Sequence, residues 1–344
     1  MKMELLRFAE LMPKVELHVH LEGSILPRTL LTLAKRNHIQ LPADDEAGLS
    51  GLYQYRDFDQ FLDAYITITS CLRTAEDYQL IAYEYGRECA RQKVRYAEVT
   101  FTILTNTRLT GLSWVEILQS LNAGREQAHQ EFGVWWQWVF DIVRNLPDTQ
   151  DEVLDIALAA REQGVIALGL GGMEAGFPPE LFEDTFLRAE REHLHRVPHA
   201  GEISGPESVW SALSLLHAER IGHGVRSIED PGLMEFLRTH AIPLEVCPTS
   251  NIRLKVFPDY AHHPLRKLWD AGILITIGSD DPPMFGTDLN HEYQVLAHEY
   301  GFTQPDLEQI SLNGIRASFL SEEEKQRLTR EFQEEFLMIA KGEW

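Results

Sequence analysis

The chain has 344 residues, of which 44% are hydrophobic and 24% charged, the usage of an ordinary globular protein; disordered, collagenous and low-complexity chains are excluded. Thirty-one Lys and Arg against 53 Asp and Glu leave a net charge of −22, so the surface repels phosphate backbones and nucleic acid is not an expected partner. No apolar run approaches the ~18 residues of a membrane span, residues 1–7 do not read as a secretory signal, and three widely spaced cysteines make no disulfide framework, which together predict a cytoplasmic protein without membrane attachment.

Along the chain, short β-branched or apolar runs alternate with segments of helical spacing. Strands are predicted at 15–20, 94–101, 134–142, 165–171, 197–199, 220–223, 242–247 and 273–279. Helices are predicted at 25–38, 58–72, 75–92, 113–131, 151–163, 179–193, 207–218, 232–239 and 264–271. Ser113-Trp-Val-Glu116 and Thr149-Gln-Asp-Glu152 each fit a capping box, and Pro206 suits a first helical position. Strand followed by helix, about eight times, implies a parallel sheet covered by helices. A closed (β/α)₈ TIM barrel is the economical form, with an open doubly wound sheet as the alternative. Residues 49–75 read as a helical insertion after the first strand. The tail from Ser321 reads as a charged amphipathic helix with a solvated outer face. No linker divides the chain, so residues 1–344 are expected to form one domain.

The residues able to bind a metal fall where such a barrel needs them. His18 and His20 end the first strand in His18-Val-His20-Leu-Glu22-Gly23, and residues two apart on a strand share a face. His199 and Glu202 follow the fifth strand, His223 ends the sixth, and Asp280 and Asp281 end the eighth. Each alone has a plain reading: His223 as a turn residue, Asp280-Asp281-Pro282 as a simple turn. Convergence at four separate strand ends favours an active site. By contrast, His193-Leu-His195 reads as a solvated helix end and His262-His263 as a surface pair. The run Trp135-Trp136-Gln-Trp138 reads as barrel wall. Gly169-Leu-Gly171-Gly172-Met-Glu174 lacks the third glycine of a dinucleotide fingerprint, and no triphosphate-binding loop or His-Glu-x-x-His motif is present. Imidazole and carboxylate donors without thiolate suit Zn²⁺, with Glu202, His223 and Asp281 placed to handle protons, so hydrolytic displacement at an electrophilic carbon is expected.

Five motifs carry a resemblance: His18-Val-His20-Leu-Glu22-Gly23-Ser24, His199-Ala-Gly-Glu202, Arg220-Ile-Gly-His223-Gly224, Cys247-Pro-Thr-Ser-Asn251 and Ser279-Asp280-Asp281-Pro282. In this order, across residues 12–293, the chain resembles the adenosine/adenine deaminase family of metal-dependent amidohydrolase barrels. The cytidine-deaminase fold, with its Pro-Cys-x-x-Cys zinc motif, is not matched. The resemblance implies one zinc ion per chain held by His18, His20, His199 and Asp280. It further implies that Glu202 shares a proton with purine N1 and that His223 orients and helps deprotonate the attacking water. His20, Glu22, Gly172 and Asp281 would face the substrate, with Asp281 at N7 and the Gly172 backbone at N3. Phe58, Phe61 and Leu62 would form an apolar lid.

Departures from the family pattern bear on the substrate. Adenosine deaminases usually carry Asp at the position of Glu22 and Gly-Asp-Glu at Gly172-Met173-Glu174. The segment from Ser250 to Val256, and Ser279, look closer to adenine deaminases, yet Pro282-Pro-Met-Phe-Gly-Thr287 does not. The resemblance thus implies deamination of a 6-aminopurine, an adenosine-like nucleoside first. Adenine, 6-aminodeoxyfutalosine and N6-alkylated purines are the alternatives. Nucleotides rank lower on charge unless Arg253 and Lys255 form a basic pocket. The rival classes are a barrel hydrolase of esters, lactones or amides, and a non-catalytic nucleoside-binding relative.

Overall fold

The computed structural model describes residues 2–343. Eight parallel strands follow one another round a barrel: β1 Lys14–His20, β2 Val94–Phe101, β3 Trp135–Val143, β4 Val165–Gly171, β5 His195–Ala200, β6 Ile221–His223, β7 Leu244–Val246 and β8 Ile275–Ile277. A bridge between Val19 and Asp280 closes β8 onto β1, through His20 N–H to the Asp280 carbonyl at 2.9 Å and Asp280 N–H to the His18 carbonyl at 3.1 Å. The (β/α)₈ barrel expected from the alternation is the fold, and the stretch read as an insertion, 49–75, holds a 3₁₀ turn Gly48–Tyr53 and the helix Phe58–Thr69, between the helices Pro27–Arg36 and Ala75–Arg91.

The pleat separates two environments. On β1, Glu16 accepts from Ser279 inside the barrel, and His18 and His20 follow on the same face, while Val15 meets Gly314 of the outer helix Gln304–Ala317. Trp136 and Trp138 of β3 point outward, Trp136 edge-on to Tyr85 and Trp138 donating to Asn122 at 2.8 Å, as a barrel wall requires. Inside, a small apolar plug of Val139, Ala167 and Val197 sits apart from the main core. Also inside is a wholly buried ionic group of Glu98, Arg220 and Glu245, which reaches the histidines through His18.

Several expectations need correction. The strands β6, β7 and β8 are three residues each, because their flanks leave the ladder to present side chains at the carboxyl rim. Ser113 and Glu116 form their capping box, but the side chain of Thr149 instead donates to the Leu146 carbonyl at 2.6 Å, and a 3₁₀ turn precedes the helix Gln150–Ala159. His195 does not end a helix: it opens β5, stacks on Phe319 at 3.7 Å and pairs with Glu219 at 2.9 Å. His263 is buried, although His262 beside it is exposed as expected. The helices Leu289–Glu299 and Gln304–Ala317 were absent from the sequence reading, although Thr303 and Asp306 form a capping box at the second. The tail helix Glu322–Lys341 is solvated on one face only, since Leu328, Phe332 and Phe336 are buried. Among the described residues, no helix is long and apolar enough to cross a membrane.

Candidate active site

A cavity of about 200 Å³ opens at the carboxyl rim and is lined by His20, His199, Glu202, His223, Asp280, Asp281 and Gly172. Its opposite wall is the helix Phe58–Thr69, from which Phe58, Phe61, Leu62, Tyr65 and Ile66 project at one helical face. Phe61 stacks on Phe285 at 5.2 Å, which anchors this apolar wall to the loop after β8. The expected lid residues therefore line the site.

Five donors converge beneath it. The ligand atoms of His18, His199, His223 and Asp280 all lie within 4.8 Å of one another. His20 Nε2 is 3.3 Å from His199 Nε2 and 3.4 Å from Asp280 Oδ1, and His18 Nε2 is 3.5 Å from that same oxygen. The other oxygen, Oδ2, accepts from Ser250 at 2.6 Å and is 3.9 Å from His223 Nε2. His18, His20 and His199 thus gather on one side of Asp280, with His223 on the other, beside Glu202 Oε1 at 3.8 Å. Two of these residues hold left-handed backbone, His223 at φ 60° and Asp280 at φ 64°, a strained conformation for non-glycine residues that gathers at functional sites.

The donors fit a divalent cation. His18 Nε2 is buried without a hydrogen-bond partner, while its Nδ1 is fixed by Glu245 at 2.9 Å, the arrangement that orients a metal-binding imidazole. Burial pulls His20 down to about 4 and His223 to about 3, so both are neutral, and His20 is able to ligate. At His18 the pull of burial is overcome by the neighbouring carboxylates of Asp280 and Glu245, which raise it to about 10. The two carboxylates thus call for positive charge at this spot.

The proton-handling groups have distinct environments. Burial, then Asp280 and Glu174, push Glu202 up to about 8. Burial and neighbouring Asp280 hold Asp281 well above the usual carboxylate range, and its Oδ1 has no partner. A Cβ on Gly23 would come within 1.7 Å of that oxygen, which explains why glycine follows Glu22. Gly172 lines the cavity at φ 87°. Glu22 is buried but does not line the cavity; its Oε1 accepts from Thr102 N–H at 3.0 Å and Asn106 at 2.7 Å.

Some supporting residues escaped the sequence reading. Leu265 N–H donates to His263 Nδ1 at 3.2 Å, so the proton of His263 is on Nε2 and is given to Asn251 Oδ1 at 3.0 Å. Asn251 then donates its amide to Glu202 Oε1 and His223 Nδ1, both at 3.3 Å. This chain places the proton of neutral His223 on Nε2, facing the cavity. Glu174 accepts from Gly201, Ile203 and Ser204 N–H at 2.6–2.9 Å and clamps the loop carrying Glu202. Asp141, buried with Oδ1 unpartnered, lines the cavity, and burial raises it to about 6. The available signal for Asp141 and Glu245 was a single acid inside an apolar strand. Arg253 and Lys255 do not line the cavity; each donates to a backbone carbonyl, of Phe285 and Arg56, so the basic pocket does not form there.

A (β/α)₈ barrel with imidazoles and carboxylates gathered at its carboxyl rim defines a hydrolase able to use a metal ion. The family model for adenosine deaminase matches residues 13–335. The aminodeoxyfutalosine deaminase of Streptomyces avermitilis is 43% identical over 324 residues, covering 93% of this chain and 90% of the relative. The adenine deaminase of Bordetella avium is 38% identical over 305 residues, 88% and 96% of the two chains. An amidohydrolase from Burkholderia ambifaria, crystallised with bound Zn, superposes with a TM-score of 0.90 at 28% identity, covering 98% of this chain and 94% of that one. The chain belongs to the adenosine deaminase family and is a hydrolytic deaminase.

Proposed function

We propose that the protein removes the 6-amino group of a purine substituted at N9, an adenosine-like nucleoside, giving the 6-oxo purine and ammonia. The observation that carries this reading is one buried cavity holding Glu202 and Asp281 beside the imidazole–aspartate cluster. An ester or lactone hydrolase has no use for two further acids, both raised in pKa, on one cavity wall beside the metal-binding cluster. The relative named aminodeoxyfutalosine deaminase favours a modified nucleoside as the second reading, and those named adenine deaminase favour the free base.

We assign one Zn²⁺ per chain to His18, His20, His199 and Asp280; when bound, such an ion is a Lewis acid that lowers the pKa of water toward ~7. The protein residues handle the remaining protons. Glu202, as the carboxylic acid, gives its proton to ring N1, which weakens the aromatic system and makes C6 electrophilic. The carboxylate then takes a proton from the attacking water as its oxygen bonds to C6, and passes it to the amino nitrogen. Ammonia leaves as the C6–N bond breaks, and the C6 hydroxyl proton returns to Glu202 as the carbonyl forms. His223, with its proton on Nε2, holds the attacking oxygen by donating to it. Asp281, as the acid, donates to N7, and Gly172 N–H meets N3. Glu22 acts on the N9 side through Thr102 and Asn106.

Ammonia release from adenine, adenosine, deoxyadenosine, aminodeoxyfutalosine and N6-methyl purines tests the reading. Turnover of at least one N9-substituted purine is expected; no ammonia from any of them would overturn it.

A further inference from the structure

A polar chamber of about 90 Å³ lies between the helix Ala75–Arg91 and the chain that follows β8, and it shares no lining residue with the active-site cavity. Glu16 of β1 and Tyr85 of the helix line it, together with Ser24, Ser279, Thr287 and Asp288.

Its charges do not balance. Glu16, Glu88 and Asp288 are three carboxylates, and Arg91 is the one cation among the described residues that line the chamber. Arg91 is already engaged by Glu88 and by Asp288, each at 2.7 Å, so neither of those acids is free and Arg91 has nothing left for Glu16. Glu16 is 3% exposed and forms no ion pair among the described residues. A carboxylate so deeply buried is ordinarily paired with a cation or bound to a metal.

The hydrogen bonds do not balance either. Ser279 gives its hydroxyl proton to Glu16 at 2.6 Å, Ser24 gives its own to the Leu21 carbonyl at 2.7 Å, and Thr287 gives its own to Glu292. Each of these oxygens keeps lone pairs. Tyr85 is 5% exposed and its hydroxyl has no partner, an uncommon state for a buried polar group. The chamber is thus rich in oxygen acceptors and short of positive charge, which suits a hard cation. Only one carboxylate is uncommitted, whereas a divalent ion draws on several, so a monovalent ion fits better. The volume admits such an ion with a few waters.

We propose that this chamber binds one monovalent cation of potassium size, held by the Glu16 carboxylate and the oxygens of Tyr85, Ser24 and Ser279, and that its binding supports catalysis. The coupling runs through Ser279, whose N–H and hydroxyl donate to Glu16 at 3.0 and 2.6 Å and which directly precedes Asp280 and Asp281. A cation that fixes Glu16 fixes the start of the segment carrying both acids. Glu16 and Tyr85 are positioning residues in this scheme.

Crystals of the metal-loaded enzyme soaked in rubidium chloride test the site, because Rb⁺ resembles potassium in charge and size and scatters anomalously. An anomalous peak is expected in the chamber beside Glu16 and Tyr85. In solution, replacing choline chloride by potassium chloride at equal ionic strength should raise the melting temperature by about 1–3 °C. The same exchange should raise kcat/KM by about twofold or more. Glu16→Gln keeps an acceptor for Ser279 but removes the charge, and should abolish both responses. Tyr85→Phe removes one oxygen ligand and should shift both responses to higher potassium concentration, which keeps the test open should Glu16→Gln fail to fold. Absence of a rubidium peak, or a thermal response to potassium unchanged in the variants, would overturn the site. A peak with equal kcat/KM in potassium and choline would overturn the coupling to Asp280 and Asp281. Neither result bears on purine deamination, since the crystal and the melting curve need no substrate.

Discussion

Glu245 Oε2 lies 2.9 Å from His18 Nδ1, and its other oxygen accepts from Arg220 Nε at 2.6 Å. Arg220 in turn donates to Glu98 at 2.5 Å, and its guanidinium lies over the Phe319 ring at 3.9 Å. All three charged groups are at most 1% exposed. The fixed carboxylate holds the proton of His18 on Nδ1 and turns Nε2 toward Asp280. Glu245→Gln keeps the shape but weakens this hold, because an amide is a poorer acceptor than a carboxylate. Metal affinity should fall about 10- to 100-fold, measured by competition with a chelator of known strength. Wild-type affinity would show that the pair does not orient the ligand.

Glu202→Gln separates proton transfer from metal binding. The amide fits the same loop, held by the Glu174 clamp and by Asn251, but cannot shuttle protons. Catalysis should drop by more than about a hundredfold, within the usual range for a positioned acid–base group. Metal content should stay near one per chain and the melting temperature near that of the wild type. Near-normal turnover would refute the assigned role.

His18→Ala should lose metal and activity together, as determined by elemental analysis alongside ammonia release. Its imidazole lies between Glu245 and Asp280, so removing it also leaves two buried carboxylates facing each other. A variant that retained its metal would show that His18 is not a ligand.

The sequence made the barrel and its rim readable because strand periodicity and strand-end histidines are local properties. His18 and His20 are two residues apart, and Glu202 follows His199 by three, so each pair could be placed from one short segment. The supporting groups were hidden because their meaning lies in contacts across the chain. Glu245 is 227 residues from His18, and nothing beside it in Leu244-Glu-Val246 announces a partner. His263 looked like half of a surface pair; only the fold brings it under Asn251, twelve residues away. Glu22 was expected to face the substrate, but its bonds to Thr102 and Asn106 turn it toward the neighbouring loop. Thr149-Gln-Asp-Glu152 had the letters of a capping box, yet the preceding chain enters as a 3₁₀ turn and uses the hydroxyl elsewhere.

Gly23→Ala tests how closely Asp281 is packed. A methyl group at residue 23 would come within 2.6 Å of Asp281 Cβ as well as overlapping its carboxylate. The Asp281 side chain must then rotate away from the cavity, while the metal cluster and the barrel ladder are undisturbed. Activity should fall tenfold or more with metal content retained, since displacing a positioned substrate contact by about 1 Å can cost on that order. Full activity would place N7 recognition elsewhere.

The last expectation concerns stability rather than chemistry. Glu292, on the helix Leu289–Glu299, is 1% exposed and accepts from Thr249 N–H at 3.3 Å and from the Thr287 hydroxyl. Burial is the main cause of its carboxyl being raised from 4.5 to about 7, against the lowering effect of those hydrogen bonds. Between these two values the folded chain keeps a proton that the unfolded chain has released. The folded state therefore binds more protons in this window, and stability falls as the pH rises from 4.5 to about 7. Above that window the cost is constant, on the order of 1–3 kcal/mol. Glu292→Gln retains an acceptor for Thr249 N–H but has no charge to bury. Its melting temperature should exceed that of the wild type by a few degrees at pH 7.5 and match it near pH 4.5, as measured by calorimetry at several pH values. A constant difference across the range would show that the carboxyl does not titrate in that window, and a variant less stable at pH 7.5 would show that Glu292 is held there as a stabilising anion.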